Sequence, residues 1–468
     1  MEKLCKQLIN TYNTNVLDNK GKIIGEELMK ISTNYKDTGK GRSVLMNLIY
    51  NHFAVQKPQP EYIGSPMDLT VHWSETHEKI IYIFGEHHSD KIDCYRLGLQ
   101  NRDIDALGAK IMSIQYFLKE LSRTTDCFID FLFEVPATEI KSKGYHVDFD
   151  PYAGKKNFAL SKLFDTFKDC INYITRSDKS CRLSRVHYFD SRYNDKDGSI
   201  KGSNIVNAFR VEIQNIRKIT DTKDKYSFAN LAKKLLKDNS DFVKMLEYIG
   251  DDDDNIILQF LIFQTTQNTY THKELGLFEH NNSVRLAIQT FIEEENKNFM
   301  DENKLLWREH TKIILKFISE DEDRPTSEEF ENSFNIINDS LVSVNSLVAD
   351  VYLLSRLFKN FDLTQIQEKG YVGATDQPAK ATNIIIYTGS KHADTYRLFL
   401  KNKLDFKQIA ETGLKKKDPR SPMHCIDMST IPQPFFNSWP PIGYIDNKPP
   451  DNKPPALQGL MGHLLRKK

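Results

Sequence analysis

Four apolar runs in this 468-residue sequence end in ionisable residues. Ile80 to Phe84 stops at Gly85-Glu86-His87-His88, and Cys127 to Phe133 stops at Glu134. Val186 to Phe189 stops at Asp190-Ser191-Arg192, and Asn383 to Tyr387 stops at Thr388-Gly389-Ser390-Lys391-His392. Short apolar runs closed by polar turns read as buried parallel strands, and such sheets bind ligands at the carboxyl ends of their strands. Brought to one edge, His88, Glu134 and His392 match a divalent-metal site of unspecified identity with a position left open for water, which a metal can ionise near neutral pH. A metal-free alternative makes a glutamate or histidine the general base and Arg192 an anion or oxyanion clamp. The candidate catalytic residues are therefore Glu86, His88, Glu134, Arg192 and His392, and the candidate metal ligands are His88, Glu134 and His392.

Each of these residues also has a plainer reading. His87 and His88 point opposite ways in an extended chain, so one of them, His88, is taken as functional. His187, inside a strand-like run, reads as a hydrogen-bonded core residue, and Asp190 with Arg192 reads equally well as a structural salt bridge. Glu134 follows a run of apolar residues, and a buried carboxylate needs a partner. Asp350, inside the apolar helix LVADVYLL, needs one too, and a hydrogen bond from cap to sheet is its expected use. The Asp251 to Asp254 run lacks the alternating ligands and closing glutamate of a calcium loop and reads as a solvated loop. TGKGRS (Thr38 to Ser43) lacks the upstream glycine and the hydroxyl residue of a phosphate loop and reads as a flexible turn.

The elements that must position these residues form an α/β pattern: a mainly parallel sheet with flanking helices and a large helical insertion. Residues 1–75 read as an N-terminal helical segment, with breakers at Gln56 to Pro66. Residues 76–202 form the first part of the α/β core, and 203–360 a helical insertion or cap. Within that cap Thr326 and Glu329 have capping-box spacing. Residues 361–415 supply the second part of the core. Residues 416–468 form a proline-rich tail whose repeat DNKPPDNKPP reads as an extended spacer, or as a docking element for a protein partner.

Composition narrows the function classes. Sixty-four Lys plus Arg balance 64 Asp plus Glu, so no global charge favours nucleic acid or an acidic membrane. No uninterrupted apolar run reaches the roughly 20 residues of a membrane helix, and the N-terminus lacks the apolar core of a signal peptide. Six cysteines without a CxxC pair fit reduced thiols better than a disulfide framework. Intracellular, cytoplasmic synthesis is the expectation.

Gly85-Glu86-His87-His88 and Gly389-Ser390-Lys391-His392 are two Gly-x-x-His motifs, each following a strand-like run, with a carboxylate strand and a helical region between them. In this the chain resembles the Tiki/TraB and erythromycin-esterase-like superfamily, including its haem-binding ChaN-like branch. The resemblance covers about residues 79 to 402 as an order of elements, and its specific matches amount to some twenty residues. It implies that His88 and His392 are paired histidines, with Glu86 beside the first and Glu134 as the carboxylate. It also implies hydrolysis, which is metal-dependent in Tiki-like proteases and metal-independent in erythromycin-esterase-like members, with haem the lesser cofactor reading. Arg96, eight residues after His88, is then placed to bind an anionic group of an otherwise unspecified substrate. The chain departs from the Tiki pattern in lacking a secretory signal and the small residues of the second motif. ADVYLLSRLF and IIIYTGSKHADTY also resemble segments of uncharacterised proteins of large DNA viruses. The alternative to a hydrolase is a non-catalytic binding or structural protein, virion-associated, that keeps the fold and docks through its tail.

Overall fold

The structure is a computed structural model that describes residues 58–87, 94, 110–125, 127–136, 159–171, 184–190, 205–222, 227–266, 282–319, 323, 325–361, 378–413 and 424–436. His88, Arg96, Arg192, the TGKGRS turn and the DNKPP repeat lie outside them.

Among the described residues six strands form the main sheet, in the order β6-β5-β7-β3-β2-β8. They are β2 (Asp68–Ser74), β3 (Lys79–Glu86), β5 (Ile129–Pro136), β6 (Ser184–Asp190), β7 (Asn383–Gly389) and β8 (Lys407–Thr412). β6, β5, β7 and β3 run parallel, while β2 is antiparallel to both β3 and β8. The central strands KIIYIFGE and NIIIYTG are buried at every position, as a strand covered on both faces requires. The edge strand β8 is polar and at least partly exposed, which discourages further pairing.

Tyr62–Gly64 and Asp68–Ser74 are strands, which corrects the helical reading of residues 1–75 at these positions; residues 1–57 lie outside the described ones. β1 (Tyr62–Gly64) and β2 hold β-branched and aromatic residues, and β2 pairs along its whole length with β3. Cross-strand pairing decides the conformation of such a segment, and its local sequence does not display that pairing. β1 lies between β4 (Ile111–Ser113) and β9 (Cys425–Asp427) in a separate three-stranded sheet, so part of the expected tail belongs to the folded body.

Alternation along the strands divides the core into two faces. Ile80, Tyr82, Phe84, Phe131, Phe133, Ile385 and Tyr387 face α1 (Ile114–Thr124), α2 (Ala159–Ile171) and the closing segment, whose Phe435 stacks on Tyr82 at 4.1 Å. Ile81, Ile83, Leu132, Ile384 and Ile386 face the helical region. That region contains α3 (Ile205–Thr222), α4 (Phe228–Asp238), α5 (Ser240–Ile249), α6 (Asp254–Thr266), α7 (Asn282–Ser319) and α8 (Ser327–Phe358). α9 (Ser390–Leu404) follows β7 and packs on the same face.

α7 and α8 belong to two cores at once. Val284, Ile288 and Phe291 of α7 and Leu347, Val351 and Leu354 of α8 pack on the sheet. Further along, Met300, Trp307 and Ile314 of α7 and Phe330, Phe334 and Ile337 of α8 pack within the bundle of α3 to α6. α8 starts at a capping box in which the Thr326 hydroxyl accepts from the Glu329 amide, and Glu329 accepts from the Thr326 amide. It is the described helix long and apolar enough to cross a membrane, but 78% of its most apolar stretch is buried inside the protein, as in a core helix.

Cys94 and Cys425 form a disulfide with a Cα–Cα distance of 5.2 Å, a correction to the reading of reduced thiols. Sequence spacing could not show it, because the two residues are 331 positions apart and meet only when β9 joins β1. Cys127 is free. Peptide mapping without reduction is expected to join the Cys94 and Cys425 peptides, and Cys425→Ser is expected to lower stability by about 2–5 kcal/mol in denaturant titrations.

Candidate functional site

The four parallel strands bring the carboxyl ends singled out in the sequence to one edge of the sheet. β3 and β7 are direct neighbours, with Gly85 opposite Thr388 and Glu86 opposite Gly389. The strands that carry the two Gly-x-x-His motifs therefore end side by side and in step, and β5 delivers Glu134 from the other flank of β7.

Glu134 is buried, and its carboxylate reaches the junction of β7 and α9. Its Oε2 accepts from the Thr388 hydroxyl at 2.8 Å and from the Gly389 amide at 2.7 Å. Its Oε1 lies 3.3 Å from Nε2 of His392, in the first turn of α9. A carboxylate at this position caps the helix N-terminus and suits its dipole. The other ring nitrogen of His392, Nδ1, lies 2.5 Å from Oδ1 of Asp350 on α8. Asp350 therefore has the partner its place in an apolar helix demands, but that partner is on helix α9 and not on a strand, and it reaches the sheet only through His392 and Glu134.

The electrostatics follow from this geometry. Burial opposes charge on His392, but Asp350 and Glu134 outweigh it and raise the imidazole pKa to about 10. At neutral pH the ring is an imidazolium that donates from both nitrogens. Glu295 of α7 stands near the same cluster. Burial raises its pKa, as do Asp350, Glu294 and Glu302, against the pull of Lys391.

Glu86 belongs to the opposite face. Its Oε2 accepts from the Tyr387 hydroxyl at 2.6 Å, whereas Glu134 takes the hydroxyl of Thr388, the next residue of the same strand. Successive residues of a strand point to opposite faces, so the sheet separates Glu86 from Glu134 and His392. Burial, then the Glu86 carboxylate, raises the Tyr387 pKa well above its ordinary value. Asp190 is buried at the end of β6.

At the amino ends of the strands lies a second buried polar cluster that sequence reasoning missed. Arg185 grips Asp130 through Nε at 2.5 Å and Nη2 at 3.1 Å, and its guanidinium stacks 3.6 Å from the centre of the Phe361 ring. His187 is the hydrogen-bonded core residue its position suggested. Its Nε2 donates to Asp130 at 3.0 Å, and its Nδ1 accepts from Arg356 at 3.0 Å. Burial lowers its pKa to about 4 against the pull of Asp130, in keeping with a neutral ring. The available signal was the placement of Asp130 inside one apolar run and of Arg185 directly before another. In the helical region the Asp251 to Asp254 loop is held by Arg308 and Lys304 of α7.

Among the described residues, no group of three or more metal-ligating side chains converges on one point. Glu134 and Asp350 sit on opposite nitrogens of one imidazole, and a ring cannot turn both nitrogens to the same cation. This set alone does not fit a divalent metal, and a haem iron would need a free nitrogen.

A raised histidine pKa contributes stability that is complete below the unfolded value near 6.5 and is lost as pH rises toward about 10. The stability gap between wild type and His392→Gln in urea titrations is expected to be largest at pH 6 and to shrink steadily up to pH 10. His392→Ala, which leaves two buried carboxylates without their shared cation, is expected to cost about 3–5 kcal/mol at neutral pH.

No family profile and no solved structure matches the chain. The chain is similar to an uncharacterised protein of Acanthamoeba polyphaga mimivirus, with 21% identity over 427 residues that cover 76% of this chain and 92% of that protein. This likeness agrees with the resemblance to large-DNA-virus proteins.

Proposed function

We propose that the chain is a hydrolase of the Tiki/TraB/erythromycin-esterase-like kind that works with an activated water and without a metal. The observation that supports this reading is the register of β3 with β7, which ends the two strands that lead into the Gly-x-x-His motifs side by side, with Glu134 on the adjoining strand. In this reading His392 holds a proton at Nε2 as an imidazolium, poised to donate to a leaving group or to stabilise an oxyanion. Glu134 and Asp350 keep the ring charged and fix its plane. Activation of water then falls to the first motif, with His88 as the base. The substrate class is an acyl compound, an ester or amide.

A second reading has its own supporting observation. His392 spends both nitrogens on carboxylates and is largely buried, as suits a staple between cap and sheet in a non-catalytic, virion-associated binding protein. The likeness to a viral protein supports that setting, with the proline-rich tail as the docking element.

Hydrolysis of activated esters and of a peptide library by wild type, His88→Ala and Glu134→Gln separates the two. The hydrolase reading expects turnover that survives chelator and falls by about 10²–10⁴ in His88→Ala. Metal analysis of the same samples should show no stoichiometric ion. Stoichiometric metal lost in His88→Ala and His392→Ala would overturn the metal-free mechanism. Absence of turnover from well-folded wild type would leave the binding reading.

A further inference from the structure

Arg397 lies on α9, five residues after His392, and is buried. Its Nε donates to the Thr70 hydroxyl at 2.9 Å, its Nη1 to Asp394 at 2.8 Å, and its Nη2 both to the Ile83 carbonyl at 3.2 Å and to the Asp68 carboxylate. One guanidinium thus ties α9 to β2 and to the middle of β3 at Ile83. Asp68 is itself pressed against the first motif: a Cβ added to Gly85 would lie 2.5 Å from its Oδ1. The glycine of this Gly-x-x-His motif is therefore required by the close approach of a carboxylate that Arg397 holds.

We infer that Arg397 is a positioning residue that, through Asp68 and Gly85, fixes the end of β3, where the first motif starts, relative to α9, whose first turn carries His392. Main-chain pairing aligns β3 with β7 in the sheet plane, but it does not set the height of α9 above that plane. The Arg397 fork does, because it reaches down from the helix to two strands at once. A lysine keeps the charge but lacks the planar fork, so charge alone does not replace it. The consequence for chemistry rests on the hydrolase reading; the mechanical tie does not.

The test compares wild type, Arg397→Lys, Gly85→Ala and the double variant, all as full-length protein. Hydrogen exchange at residues 83–86 should accelerate at least about tenfold in each single variant, while β5 and β6 exchange as before. The double variant should be scarcely worse than either single one, because both break the same tie. The His392 ring should still titrate near pH 10. If wild type hydrolyses esters or amides, kcat should fall by about 10²-fold with KM little changed, as misplacement by about an ångström does. Unchanged exchange at 83–86, acceleration spread evenly over the sheet, or additive effects in the double variant would each overturn the inference. Local acceleration in a protein with no hydrolytic activity would uphold the tie and remove the hydrolase reading alone.

Discussion

The bridge of Glu134, His392 and Asp350 is the contact on which the rest of this edge of the sheet depends. Three elements from distant parts of the chain meet in it: a strand, the helix that follows the central strand, and the long helix of the cap. None of the three groups tolerates burial alone. A lone carboxylate or imidazolium in this setting would cost several kcal/mol. Together they form an alternating row of charges whose hydrogen-bonding capacity is used by the groups around them, including the Thr388 hydroxyl and the Gly389 amide. The same balance that makes the site structurally stiff also sets its chemistry, because it keeps a proton on a buried ring at neutral pH.

Much of the sheet was legible in the sequence because buried parallel strands are short, continuously apolar and abruptly ended. The runs before Glu86, Glu134, Asp190 and Thr388 all have that form, and all four strands are present, parallel and contiguous. Their order was not legible. Nothing in NIIIY says that it inserts between β3 and β5, since that choice is made by pairing across more than 250 residues. β1 was hidden for a related reason, as its partners β4 and β9 are distant in the chain, and β2 is held by the distant β8 as well as by its hairpin neighbour β3.

The candidate site was legible by residue type and only partly by grouping. Glu134 and Asp350 announced themselves as carboxylates in apolar surroundings, and each has a buried partner, although Asp350 finds its own on a helix rather than on a strand. Glu86 was grouped with them because it ends a strand beside theirs, but strand alternation turns it to the other face, where Tyr387 receives it. Face is a parity of position within a strand, and a sequence fixes parity only once the strand's first core residue is known. The Asp130–Arg185 cluster went unseen because it lies at the amino ends of the strands, where no ligand site was sought.

The placement of β7 bears on how the chain can be made. This central strand is synthesised after the whole helical region, so during translation β3 and β5 exist without the strand that belongs between them. Each then presents an unpaired edge on a largely apolar strand, the kind of surface that aggregates. The bundle, by contrast, is closed by local contacts within residues 205–358 and can form first. Insertion of β7 between β3 and β5 therefore has to follow synthesis of the bundle, and the sheet closes only after β8 as well has been made.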